Sequence, residues 1–229
     1  MLAARVRVFR GAIGPVLAAF GLLAAISHAS AQSMSFRLEP LPDGAGCRSH
    51  CPHVIVAEGQ IGNSTPHAFL DFLRANASDR DLRTVVFLNS QGGYVVASME
   101  LGQIFRRIGA ATVVARLGAS TGKGRFLTAS CLSACVYAFM GGRKRVVPPG
   151  SALGIHRMFA NQEHTNLWGD SKSERVYDNG SMAGMLMNYS SRMGVSRELI
   201  RYAEHISSLS IHLVTPGEMA RWNLATRVF

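Results

Sequence analysis

The stretch "CLSACVYAFMGGRKRVVPPGSALGIH" (residues 131–156) decides how this chain is read. It opens with Ser133 set between Cys131 and Cys135, continues through an apolar run, turns at a glycine pair and again at Pro-Pro-Gly, and closes on the isolated histidine His156. Serine is a favoured helix N-cap, and a cap needs no further function. The same place also suits a nucleophile, because the helix dipole and the free N–H of Ala134 both stabilise negative charge developing beside Ser133. A lone histidine in an apolar strand is by default a satisfied core residue. Both readings are sound on these residues alone, so the flanking chain has to choose.

Working outward, "HVIVAEGQI" (53–61) has the length and β-branched content of a strand. "NSTPHAFLDFLRAN" then predicts a helix capped by Thr65, with Pro66 in its first turn and Phe69, Leu70 and Leu73 on one face. "RTVVFLNS" (83–90) is almost continuously apolar, which predicts a strand buried on both faces. A glycine turn and an amphipathic helix follow in "QGGYVVASMELGQIFRRIG", with Val96, Met99, Ile104 and Ile108 facing the core, and "AATVVARL" (110–117) is a third strand. This alternation predicts an α/β fold: repeated strand-helix units with a mostly parallel sheet covered by helices. Short strands are expected around 145–156, a polar stretch at 160–173, and helices over 174–193 and 196–208. A last helix opens at Thr215, in capping-box spacing with Glu218 and with Pro216 at its first position. In "NSQGG" (89–93) one glycine would serve a tight turn; two in a row also let the backbone approach a ligand with exposed N–H groups, as an oxyanion hole requires.

The first 31 residues have the form of an export signal: Arg5, Arg7 and Arg10, then the uncharged run Gly11 to Ile26, then small residues at Ala29 and Ala31 ahead of a cut before Gln32. The expected organisation is a signal peptide at 1–31, an N-terminal loop segment at 32–52 and a single domain at 53–229, with a periplasmic or secreted location after cleavage. The leader holds three of the 24 Lys and Arg and none of the 14 Asp and Glu, so the remainder carries +7. That excess is scattered arginine rather than a basic stripe interleaved with aromatics, which argues against a nucleic-acid partner.

Four cysteines in an exported chain imply disulfides, and four allow three pairings. Two cysteines on regular helix at i and i+4 stand too far apart to bond. If Ser133 begins the helix, Cys131 sits in the preceding loop and can fold back, so the local pairs Cys47–Cys51 and Cys131–Cys135 are preferred over a bond between the two regions. A zinc site using Cys47, Cys51, His50 and His53 lacks the spacing of structural zinc motifs, so no metal is expected. "LGASTGKGRF" (117–126) is one residue short of a phosphate loop and has Gly124 where Ser or Thr belongs.

The succession "HVIVAEGQI", "VVFLNSQGG", "CLSACVYAFMGGRKRVVPPGSALGIH" and "LVTPGEMARWNL" resembles the proteolytic subunit of the Clp protease and the wider Clp/crotonase-fold superfamily, over roughly residues 53–225. The resemblance implies that Ser133 is the nucleophile, His156 the general base, and Gly93 and Ala134 the oxyanion donors. It also implies a peptide or protein substrate, no cofactor, and a homo-oligomer (trimer or ring). Where the family carries its third acid this chain has Ala203, and Glu204 is the nearest carboxylate, with Asp178 and Glu174 as weaker substitutes. Export would separate the chain from cytoplasmic unfoldases, so no ATPase partner is implied. Two readings remain: an ATP-independent serine hydrolase acting on peptide bonds, or an inactive protein that keeps the fold for binding or assembly. Coenzyme A chemistry, found elsewhere in the superfamily, fits an exported Ser-His chain less well.

Overall fold

The structure is a computed structural model, and it describes residues 32–41, 51–118, 126–166, 168–177 and 180–225. The leader, Cys47, residues 119–125 and Asp178 lie outside the described residues. In chain order the elements are β1 (Ser35–Pro40), β2 (His53–Glu58), α1 (Thr65–Ala75), β3 (Leu82–Asn89), α2 (Val95–Arg107), β4 (Ala111–Val113) and β5 (Ala115–Leu117). Then come β6 (Phe126–Thr128), β7 (Ser130–Leu132), α3 (Cys135–Met140), β8 (Lys144–Val146) and β9 (Ala152–Ile155). The chain continues through β10 (Ala160–Thr165), β11 (Ser171–Val176), α4 (Ser181–Arg192), α5 (Glu198–Ala203), β12 (His212–Leu213) and α6 (Pro216–Arg221).

The main sheet runs β1-β2-β3-β4-β8, parallel throughout except for β1, which pairs antiparallel with β2. Its central strands β2 and β3 bury consecutive residues on both faces because both sides are covered there, as their continuous hydrophobic runs require. Ile55, Ala57, Val86 and Leu88 face the larger core beneath the helices, while Val54, Val56, Phe87 and Val113 face a smaller one. The smaller core is roofed in part by β6, whose Phe126 stacks on Phe87 at 5.5 Å. A second sheet, β12-β9-β7, joins the first through the bridge between Ser90, just past β3, and Cys131 of β7, and a further bridge pairs Ile61 with Gly93 beyond the ends of β2 and β3. Helices α2 and α3 cross so closely that a Cβ at Gly141 would stand 2.0 Å from the Gly102 carbonyl oxygen. The buried Arg145 draws the far ends together by donating to the carbonyls of Met193, Asn223 and Leu224, and burial pushes its pKa down to about 10.

Several local expectations are corrected. Residues 35–40 of the expected N-terminal loop form β1. Ser64, not Thr65, holds the α1 N-cap position, and Thr65 Oγ1 instead accepts from Gly62 N–H. Val96 is exposed on α2, where Ala97, Leu101 and Phe105 are buried alongside Met99 and Ile104. The stretch 110–117 breaks at Val114 into β4 and β5, and β5 turns away to pair with β6. The polar stretch 160–176 is a two-stranded antiparallel hairpin, so the helix expected from 174 begins at Ser181. Its alternating polar residues satisfy the period-2 geometry of a strand equally well, and no apolar stripe was present to favour helix. The capping box at Thr215 and Glu218 is present with both reciprocal bonds.

Candidate active site

Strand register brings the two ends of the 131–156 stretch together. β7 and β9 lie parallel with Leu132 opposite Gly154, and Ser133 N–H donates to the Gly154 carbonyl at 2.8 Å. Ser133 and His156 therefore leave the same edge of one small sheet, one residue beyond β7 and one beyond β9. Ser133 Oγ lies 2.7 Å from His156 Nε2. His156 Nδ1 lies 2.6 Å from the Arg157 carbonyl oxygen. A carbonyl only accepts, so Nδ1 carries a ring hydrogen, an arrangement that in the neutral imidazole leaves Nε2 to accept from the Ser133 hydroxyl. His156 is buried and Ser133 half-buried, which limits competition from water for this bond.

Ser133 does not cap the helix. Its backbone is left-handed, at φ 55°, Ala134 takes the N-cap position of α3, and no side chain caps that helix. A non-glycine residue pays strain for such a backbone, and the strain persists only where the surroundings over-determine it. Those surroundings are the strand bonds of β7 before it, the buried helix α3 after it, and a disulfide across it. Cys131 and Cys135 are bonded with Cα atoms 5.3 Å apart, both fully buried. Cys51 is disulfide-bonded as well. His53 Nδ1 lies 2.7 Å from Asp79 Oδ2, holding that carboxyl below its usual pKa.

The glycine turn after β3 closes over the serine. A Cβ on Gly92 would lie 2.9 Å from Ser133 Cβ and 3.1 Å from Ala134 N, and one on Gly93, at φ 141°, would lie 2.1 Å from the Ile61 carbonyl oxygen. Only glycine fits either position. Ser90 Oγ accepts from Gly92 N–H at 3.1 Å and fixes the turn. Among the described residues, neither Gly93 N–H nor Ala134 N–H donates a hydrogen bond within the chain.

The two described candidate carboxylates, Glu204 and Glu174, fall elsewhere. Glu204 pairs through Oε2 with Arg157 Nε at 3.2 Å, and the His156 Nδ1 position expected to meet it is taken by the Arg157 carbonyl. The reason is local: Arg157, the residue after His156, turns its carbonyl to the ring and its side chain to Glu204 at the end of α5. Glu174 is exposed on β11 opposite Gln162. Arg157 was not singled out from sequence, because a main-chain acceptor leaves no residue signature. A groove of about 770 Å³ along α4, lined by Ser181, Met185, Asn188 and Arg192, includes neither Ser133 nor His156.

No protein-family model matches the chain, and no curated protein matches it in sequence. Among solved structures it is similar to a variant of the 1510-N membrane-bound stomatin-specific protease, at 17% identity over 72% of this chain and 73% of that one, with a TM-score of 0.49. A second variant of that protease, in complex with a substrate peptide, is similar at 18% identity over 72% and 69%, with a TM-score of 0.48. ClpP1 from Listeria monocytogenes is similar at 16% identity over 75% and 88%, with a TM-score of 0.49. At identities this low the likeness is one of fold, and the chemistry of the site rests on its own atoms.

Proposed function

We propose that this chain is an ATP-independent serine hydrolase of peptide bonds, with Ser133 as nucleophile and His156 as general base. The observation that carries the reading is the 2.7 Å contact between Ser133 Oγ and His156 Nε2, made at a left-handed turn beside two N–H groups that have no partner among the described residues. In this reading the hydroxyl proton passes to Nε2 as Oγ bonds to the substrate carbonyl carbon. The carbonyl oxygen takes the displaced electron pair and is stabilised by the N–H groups of Gly93 and Ala134. The imidazolium keeps its Nδ1–H on the Arg157 carbonyl, returns the Nε2 proton to the leaving amine, and the acyl group on Ser133 is then released by water through the reverse sequence. No step needs a metal or cofactor.

The peptide-bond preference follows the motif resemblance around Gly93, Ser133 and His156, as does assembly into a homo-oligomer, which light scattering on the purified protein tests. The leader supports export and cleavage near Ala31, so N-terminal sequencing should begin at or near Gln32; an intact Met1 would overturn that part. A fluorophosphonate probe tests the hydrolase itself. Wild type should label at Ser133 and Ser133→Ala should not. A wild type that never labels leaves the chain as a binding or assembly protein on a hydrolase fold, a reading favoured by the absence of a carboxylate on His156 Nδ1 among the described residues.

A further inference from the structure

The orientation of His156 depends on a peptide group, and a peptide group orients a ring only as firmly as it is itself held. Arg157 is held on three sides. Its N–H donates to the Ile206 carbonyl at 3.1 Å. Its Nε meets the Glu204 carboxylate at 3.2 Å, and its guanidinium carbon lies 4.6 Å from the centre of the Tyr177 ring. Tyr177 is anchored in turn, its hydroxyl 2.6 Å from Ser208 Oγ. One residue pair further on, Arg175 stacks on Phe159 at 4.6 Å and reaches the same Ser208. The segment leaving His156 is thus gripped between the end of α5 with its following turn and the base of the β10–β11 hairpin.

We propose that Arg157, clamped by Glu204 and Tyr177, is the positioning residue for His156. Its main-chain carbonyl gives the ring the orientation that a third acid gives in a Ser-His-acid site, and Glu204 acts on the ring only through Arg157. The inference rests on the Ser133–His156 reading above. It explains why a carboxylate one residue away from the expected register still bears on the site: the ion pair fixes the side chain of the residue whose carbonyl faces Nδ1. Arg157 and Glu204 are 37% and 29% exposed at their side chains, so the pair is screened in part and acts together with the stacked ring rather than alone.

The test uses the whole protein and a fluorophosphonate probe, with the hydrogen-bonded Nδ1 proton of His156 followed by NMR. Glu204→Gln and Tyr177→Ala should each slow labelling by about tenfold, since small misplacements of a catalytic group carry large rate costs. Both should shift or broaden the Nδ1 proton resonance. Tyr177→Phe keeps the ring face but loses the Ser208 anchor, so it should slow labelling and move the resonance less than Tyr177→Ala does, and Arg157→Lys, which loses the planar fork, should follow Glu204→Gln. Glu198→Gln, which breaks the ion pair to Arg221 at the other end of α5, should change neither reading. Wild-type labelling with an unmoved resonance in Glu204→Gln and Tyr177→Ala overturns the clamp, and so does slowed labelling with an unmoved resonance. If wild type does not label, the hydrolase reading fails while the resonance comparison still decides the clamp. If Glu204→Gln does not fold, the two Tyr177 variants decide it.

Discussion

The segment from Ser130 to His156 and the hairpin from Ala160 to Val176 are neighbours in sequence and opposites in physics. In the first, Cys131 and every residue from Ala134 to Met140 are at most 3% exposed, and the strained Ser133 is tied on both sides. In the second, all twelve strand residues are exposed and Trp168 stands 90% free at the tip. A two-stranded ribbon with both faces in water is marginal by itself, so its order depends on its own cross-strand bonds and on the contacts at its base. The contrast shows where strain can be stored: an unfavourable backbone survives where dense packing leaves no alternative, and nothing in the hairpin could enforce one. The loop leaving His156 lies between the two regimes, anchored to the hairpin base through Tyr177 and to α5 through Glu204.

Substitutions can break or sharpen that contrast. The largest effect belongs to Ser133→Ala, which should abolish probe labelling while costing only about 1 kcal/mol of stability, the net worth of one lost hydrogen bond. Urea unfolding beside the labelling assay separates the two quantities. Gly93→Ala comes next, because its Cβ cannot coexist with the Ile61 carbonyl at 2.1 Å. It should lose labelling and at least about 2 kcal/mol in the same unfolding assay. A variant that labels and melts like wild type would mean that the turn is not packed as described.

Replacing Cys131 and Cys135 together by alanine removes a brace closing a very short loop, expected to cost about 2 kcal/mol on loop entropy alone and to slow labelling as the Ser133 turn loosens. Non-reduced peptide mapping checks the starting state: a peptide joining the 131–135 region to Cys51 would contradict the local bond. A smaller effect is expected at the α6 cap. Burial opposes ionisation of Glu218, but the Thr215 N–H, the Thr215 hydroxyl and His212 together hold its carboxyl below the usual range. A lowered folded pKa contributes stability above the ordinary carboxylate pKa of about 4.3 that is lost as pH falls through the folded value. Glu218→Gln should therefore lower stability at neutral pH and flatten its decline in acid, read as melting temperature against pH. Smallest of all, Trp168→Ala at the hairpin tip should move folding stability by no more than about 0.5 kcal/mol. A large loss there would mean that the hairpin is packed in solution, and the contrast would fail.

The sequence by itself determined the class of the fold, because the continuous apolar runs at 53–58 and 83–89 and the amphipathic α2 demand a covered parallel sheet whatever surrounds them. It also marked Gly93, Ser133 and His156, since a glycine pair, a serine between cysteines and a solitary histidine are each visible as residue types. The local Cys131–Cys135 bond was expected on the premise that Ser133 begins the helix and leaves Cys131 ahead of it; in the structure the bond is present, with Ala134 at the N-cap position and Ser133 in a left-handed turn before it. The hairpin was not readable, because alternation of polar with polar residues carries no signal of which face is inside. Only the tertiary structure decided what Nδ1 of His156 meets. Nearest in sequence register is Glu204, yet the ring is reached by the carbonyl of Arg157, and Glu204 is drawn to the guanidinium beside it. Every residue carries a carbonyl, so its identity cannot announce that role; only the direction in which the chain leaves β9 can.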